Sequence, residues 1–147
     1  MEDDQGSSRR VKPRPLHWDY PGDKIGAQVL ALYRKLIELR KAHLGLRSDN
    51  IYPDNWADWQ TQFNPAGYGV DTNRQVLIFH RWGNAADGRL ERFIIVLNFS
   101  AQPQMVDVPF AANGSWQDLL NNQTTEVNDF RLADQAIEPY WGRIYFQ

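Results

Sequence analysis

Cysteine is missing from all 147 residues, which excludes disulfides and thiolate metal sites and leaves packing to supply stability. Histidine is scarce, and His17, His43 and His80 lie too far apart for a His-x-x-x-His metal pair. No apolar run approaches the roughly 18 residues of a membrane span. The acidic start Met1-Glu2-Asp3-Asp4 does not read as a signal peptide. These absences predict a soluble chain with no membrane partner, no metal and no cofactor; the missing cysteine does not set the redox compartment, and the cytoplasm is the favoured location. A dominant charge is lacking too, with 16 basic against 18 acidic residues. The basic residues share their helix with a broad apolar stripe, so no nucleic-acid surface is expected.

What is present divides unevenly. Met1 to Arg47 holds 10 Lys+Arg and 6 Asp+Glu, whereas Ser48 to Gln147 holds 6 and 12. A basic first third and an acidic remainder fit two pieces of different origin joined near Ser48. The length suits one globular domain with a real core. Met1 to Arg14 offers nothing to bury and is expected to be disordered, and Pro13, Pro15 and Pro21 keep the following residues extended or turning. Residues 1–22 thus form a flexible lead-in.

Asp23 then stands at an N-cap position, so a helix should begin near Lys24 and run within 23–45, with Gly45 as its stop. Ile25, Val29, Leu32, Leu36, Leu39 and His43 step by four and three along one row, and Leu30, Tyr33, Ile37 and Leu44 form a second. Two apolar rows predict a helix covered on more than one side. His43, at the helix end, reads as a partner of the helix dipole.

Beyond Ser48 the period shortens. Strands are predicted near Trp56 to Phe63, Gly67 to Thr72, Val76 to Trp82, Arg92 to Phe99, Gln104 to Val108, Gly114 to Leu119, Ala136 to Ile137 and Gly142 to Gln147. Asn64-Pro65, Asn113-Gly114 and similar turn pairs separate them. The fold class is mainly β, an antiparallel Greek-key-like β-sandwich over 48–147 preceded by one amphipathic α-helix. The unbroken run Phe93 to Leu97 predicts a strand buried on both faces. Phe93, Ile95, Leu97, Ile144 and Phe146 are the expected core.

The phrase Leu39-Arg40-Lys41-Ala42-His43-Leu44-Gly45-Leu46-Arg47 resembles the last helix of an alpha-amylase superfamily barrel, which feeds a C-terminal β-sandwich. The likeness continues through Tyr33-Arg34-Lys35-Leu36, Val96-Leu97-Asn98-Phe99-Ser100, Val108-Pro109-Phe110, Trp116-Gln117-Asp118-Leu119-Leu120 and Gly142-Arg143-Ile144. It covers the chain from about Arg14 onward. The resemblance implies a piece of an α-glucan-acting enzyme whose partner is the catalytic (β/α)8 barrel. It also implies that the nucleophilic Asp, the general-acid Glu and a third Asp all precede the helix, so no residue here is a catalytic candidate. Residues 1–22 would then be the remnant of a barrel loop on the active-site face.

Sugar contacts are the remaining candidates. Trp18 and Tyr20 could stack on a sugar ring in that loop, with His17 or Asp19 bonding hydroxyls. Trp56 and Trp59, three apart, would point to opposite faces of a strand, and only a loop would let them form one platform. Trp82, Trp116 and Trp141 read as core or sheet-packing residues. Asp54 with Asp58, or Asp129 with Asp134, lie in polar turns where nothing would raise one pKa, so neither is an acid–base pair. The leading reading is a non-catalytic domain that stabilises the barrel, with weak α-glucan contact and weak self-association through the helix as further expectations. An independent starch-binding module and a protein-interaction domain are the alternatives.

Overall fold

In the computed structural model, residues 22–55 and 61–147 are described. They fall into two compact units that meet in sequence between Glu38 and Leu39. The first is the body of helix α1, Lys24–Ala42. Asp23 starts it as the sequence predicts, its Oδ1 accepting from Gly26 N at 2.6 Å and satisfying one of the orphan amides of the first turn. No residue of α1 is buried. Ile25, Val29, Tyr33 and Ile37, four apart, are 73%, 48%, 63% and 51% exposed. This row stands uncovered. Leu30, Leu32, Leu36 and Leu39 are half-buried.

Among the described residues, the second unit carries a 3-10 turn, Leu44–Arg47, and nine strands: β1 Ile51–Tyr52, β2 Gly69–Asp71, β3 Val76–Asn84, β4 Leu90–Asn98, β5 Gln104–Pro109, β6 Gly114–Asp118, β7 Gln123–Val127, β8 Arg131–Ile137 and β9 Gly142–Phe146. A seven-stranded sheet runs β1-β3-β4-β9-β6-β7, with β2 also on β3, and β5 pairs with β8 in a second, small sheet. Every pairing is antiparallel. The chain leaves the large sheet after β4, returns at β6, leaves again after β7 and returns at β9, which makes this a β-sandwich.

Alternation along the strands divides the buried residues between two faces. Ile78, Ile94, Val96, Trp116, Val127 and Tyr145 from the large sheet pack with Val106, Val108 and Ile137 from the small one, and this is the sandwich core. The core expected from sequence was the other face. Phe93 and Phe146 stack at 5.2 Å, paired across β4 and β9 as Ile95 is with Ile144 and Leu97 with Gly142. Phe93, Ile95 and Ile144 are indeed buried, but Leu97 and Phe146 are only partly so, and none of the five belongs to the interlayer cluster. The double-sided burial of β4 is real, and it hid which parity faces inward.

Two expectations about strands also change. Of the predicted strand at 56–63, residues 56–60 lie outside the described residues, and Phe63 makes one isolated bridge to Gly69. β7 was not expected, since QTTEV carries one buried side chain, and β8 is longer than the predicted Ala136–Ile137 because its exposed residues face solvent from the small sheet.

Asn98, at the end of β4, fastens the layers together. Its Nδ2 donates to Gln102 O at 2.8 Å, Ile137 O at 3.0 Å and Glu138 O at 3.0 Å. Its Oδ1 accepts from Ser100 N at 2.9 Å and Ser100 Oγ at 2.7 Å. One buried amide thereby satisfies backbone groups on both sides of the β4–β5 and β8–β9 connections.

Candidate functional site

The outer face of β4 and β9 is a built attachment surface. Glu91, buried on that face, accepts from or shares a proton with His43 Nδ1 at 2.8 Å through Oε1, and its Oε2 accepts from Gly45 N at 2.8 Å. The His43 ring meets Phe146 at 4.5 Å and Phe93 edge-on at 5.5 Å. The role expected of His43, a dipole partner, is thus replaced by a specific carboxylate from β4. Gly45 is required sterically: a Cβ there would stand 2.9 Å from Phe93 and 3.1 Å from Glu91 Cβ. Arg81 Nη1 donates to Leu46 O at 2.8 Å, and Ser48 Oγ bonds Trp82 O. The segment that follows the helix is clasped to β3 and β4 by charge-assisted bonds. Removing the clasp with Glu91→Ala should cost about 1–3 kcal/mol, the penalty of a buried amide left without its acceptor. Urea denaturation would read it, and an unchanged midpoint would refute the clasp.

Among the described carboxylates, three have their pKa held below the ordinary range. A general acid needs a raised pKa beside a second carboxylate about 5 Å away in a retaining site. Here the arginines push the other way. Backbone donation from Asp134 and the Arg131 guanidinium hold Asp107 below the usual range, and Arg89 does the same for Asp87. Burial raises Asp71, but the backbone and side-chain bonds from Arg74 outweigh it. Asp129 stands at φ 55 in the β7–β8 turn, and Asp134 at φ 51 within β8, beside the register shift between Val106 and Val108. His80, its ring tilted against Trp82 at 4.8 Å, is pushed down to about 4 by burial and by Arg92, so it is neutral near pH 7. Among the described residues, no three His, Cys, Asp or Glu side chains could hold a metal ion, and no helix is long and apolar enough to cross a membrane.

The aromatic candidates separate. Trp18, Tyr20, Trp56 and Trp59, like His17 and Asp19, lie outside the described residues. Trp116 is fully buried and Trp82 half-buried, as packing residues should be. Trp141 is not: it is 38% exposed and follows Tyr140, 71% exposed. Position beside a strand suggested packing, but the β8–β9 turn carries both rings outward.

The family model described as Alpha amylase, C-terminal all-beta domain, matches residues 69–140. No curated protein matches the chain. Among solved structures, a Bacteroides fragilis protein assigned as an alpha-galactosidase is similar at 21% identity and a TM-score of 0.33, over 47% of this chain. The chain spans 15% of the length of that protein.

Proposed function

We infer, from a chain that carries an alpha-amylase C-terminal all-beta domain over residues 69–140, that it is the non-catalytic end of an α-glucan-acting enzyme and that it buttresses a (β/α)8 barrel. The observation that carries the reading is the bare row Ile25, Val29, Tyr33 and Ile37 on α1. A soluble chain seldom leaves such a stripe uncovered, and each side chain forgoes about 1.5–3 kcal/mol while exposed. A barrel wall of the same enzyme is the cover that fits this row. In this reading α1 is the last barrel helix, 48–147 the attached sandwich and 1–22 a remnant of a barrel loop.

The deciding experiment is to read the coding DNA upstream of the Met1 codon. An in-frame barrel of about 250 residues, with an Asp nucleophile and a Glu acid, supports the inference, and an unrelated upstream frame overturns it. The purified chain is expected to cleave no maltooligosaccharide or starch, because a lone domain lacks the acid and nucleophile. Turnover abolished by mutating one of its own Asp or Glu residues would refute that.

Without its barrel, the α1 row should draw chains together weakly. Sedimentation is expected to show association that rises with concentration and disappears in Val29→Lys/Ile37→Lys. A strictly monomeric parent at about 1 mM would mean that the row needs no cover. Weak α-glucan contact through Trp18, Tyr20, Trp56 or Trp59 remains part of the proposal, to be read as maltoheptaose-dependent shifts of the three indole N–H groups and of the Tyr20 ring protons.

A further inference from the structure

Between the layers, on the side where β8 faces β9, β6 and β7, the sandwich core gives way to polar residues. Arg143, on β9, reaches across to Ala136 O on β8 at 3.1 Å. Beside it lies a cavity of about 370 Å³ lined by Asp118, Gln123, Thr125, Gln135, Arg143 and Tyr145. That is the small end of the range of about 300–1,000 Å³ for small-molecule pockets. Its lining is the reverse of the usual one, polar where most pockets are greasy.

The charges in this cavity are already spent on each other. Asp118, 1% exposed, accepts from Asn121 Nδ2 at 2.6 Å and Arg143 Nη1 at 3.3 Å, and from the amides of Leu120 and Asn121. Arg143 also donates to Gln123 Oε1 at 3.3 Å. A carboxylate and a guanidinium so paired leave no net charge to attract an ion. What the cavity offers is neutral: the Gln123 and Gln135 amides, the Thr125 hydroxyl and the Tyr145 hydroxyl. Tyr145 is 1% exposed, and its hydroxyl, buried beside Arg143, lacks a well-formed hydrogen bond. An unmet buried hydroxyl costs stability and calls for a reason. Burial pushes its pKa up to about 12, so it stays a neutral donor and acceptor across the physiological range.

A second observation lies two hydrogen bonds from Asp118, at Trp141. The Trp141 indole N–H donates to Asn121 Oδ1 at 2.9 Å, and Asn121 is the residue that grips Asp118. The exposed ring is therefore linked, through one amide, to a carboxylate that lines the cavity. Its donor is used, which leaves a fixed apolar face. Next to it Tyr140 is held at φ 52, a left-handed conformation that a tyrosine adopts at a cost, and Tyr140 N donates to Ser100 O at 3.2 Å.

We propose that the Asp118–Arg143–Tyr145 cleft and the Trp141 face form a binding site for one pyranose unit of a neutral glycan. A pyranose carries hydroxyls that match uncharged amide and hydroxyl partners, and its C–H face packs on an aromatic ring. The site goes beyond the buttressing role, which uses the helix row and the opposite face of β4 and β9. Preorganisation of the indole removes part of the ordering cost that makes single-ring sugar contacts weak.

The test is an amide titration of the full chain with maltotriose and, separately, cellotriose. Saturable shifts of the Trp141 indole N–H and the Gln123 and Gln135 side-chain amides are expected, with a Kd on the order of 1 mM. The saccharide that saturates identifies the linkage. Trp141→Ala should weaken binding about tenfold, Trp141→Phe should retain most of it, and Tyr145→Phe should weaken it about threefold while leaving the indole in place. Gln123→Ala, at an exposed position, gives a second variant whose fold is safe. Absence of those shifts with both saccharides at about 50 mM, or a Trp141→Ala chain that binds like the parent, overturns the proposal. Either result leaves the barrel-supporting role standing, because no residue of that surface is probed.

Discussion

Asn98→Asp, a change of one NH₂ for one oxygen, is expected to destabilise the sandwich by about 3–5 kcal/mol at neutral pH, the range for an unpaired buried charge. The amide orientation is fixed by its partners: Ser100 N can only donate, and the carbonyls of Gln102, Ile137 and Glu138 can only accept. An aspartate would aim a carboxylate oxygen at three carbonyl oxygens. Its folded pKa must then rise above the unfolded value of about 3.9. The pH-dependent part of the loss is absent below the unfolded pKa, where both states are protonated. It grows by about 1.4 kcal/mol per pH unit until the raised folded pKa is passed. Guanidinium denaturation at pH 4 and pH 7 should therefore show a gap between variant and parent that widens with pH. A gap independent of pH would mean that the amide does not donate to those carbonyls.

Trp116→Ala is expected to cost about 3–5 kcal/mol, the range for emptying a buried aromatic site. The ring is wholly buried, meets Phe110 edge-on at 4.9 Å and donates its indole N–H to Ala112 O at 3.0 Å. Since domains of this kind have about 5–15 kcal/mol in total, the variant should unfold at the bottom of the temperature scale or not fold at all. Trp116→Phe keeps most of the volume and loses the bond to Ala112, so it should cost only about 1–3 kcal/mol. The ratio of the two, read by thermal and chemical denaturation, separates cavity from hydrogen bond. Equal effects would show that the bond dominates.

Much of this was legible in the residues. Asp23 marked the helix start because a short acceptor at that position has one job, and the period change after Ser48 marked the sandwich. Strand β4 announced itself by an unbroken apolar run, yet the same run concealed which face was interior, since alternation is invisible when both parities are apolar. What decided it was Gly45, pressed on Phe93, a contact between residues far apart in sequence. β7 escaped for the opposite reason: QTTEV has too few apolar positions to display a period, and its pairing with Gly114 to Asp118 makes it a strand. Trp116 lies within β6 and Trp141 directly before β9. Their different fates depend on whether a second layer crosses overhead, which no local pattern encodes.

The place of β9 has a consequence for how the chain is made. It lies between β4 and β6, so the β3–β4 and β6–β7 hairpins are not neighbours until Gly142–Phe146 arrives and inserts between them. During synthesis both halves of the large sheet must wait with an open edge, and exposed edges invite pairing with other chains. Gly142 sets the tolerance of that insertion, for a Cβ there would stand 2.6 Å from Val96 O. A nascent chain stalled before this strand would present two unfinished ribbons, and the natural client of a chaperone is that species rather than the finished fold.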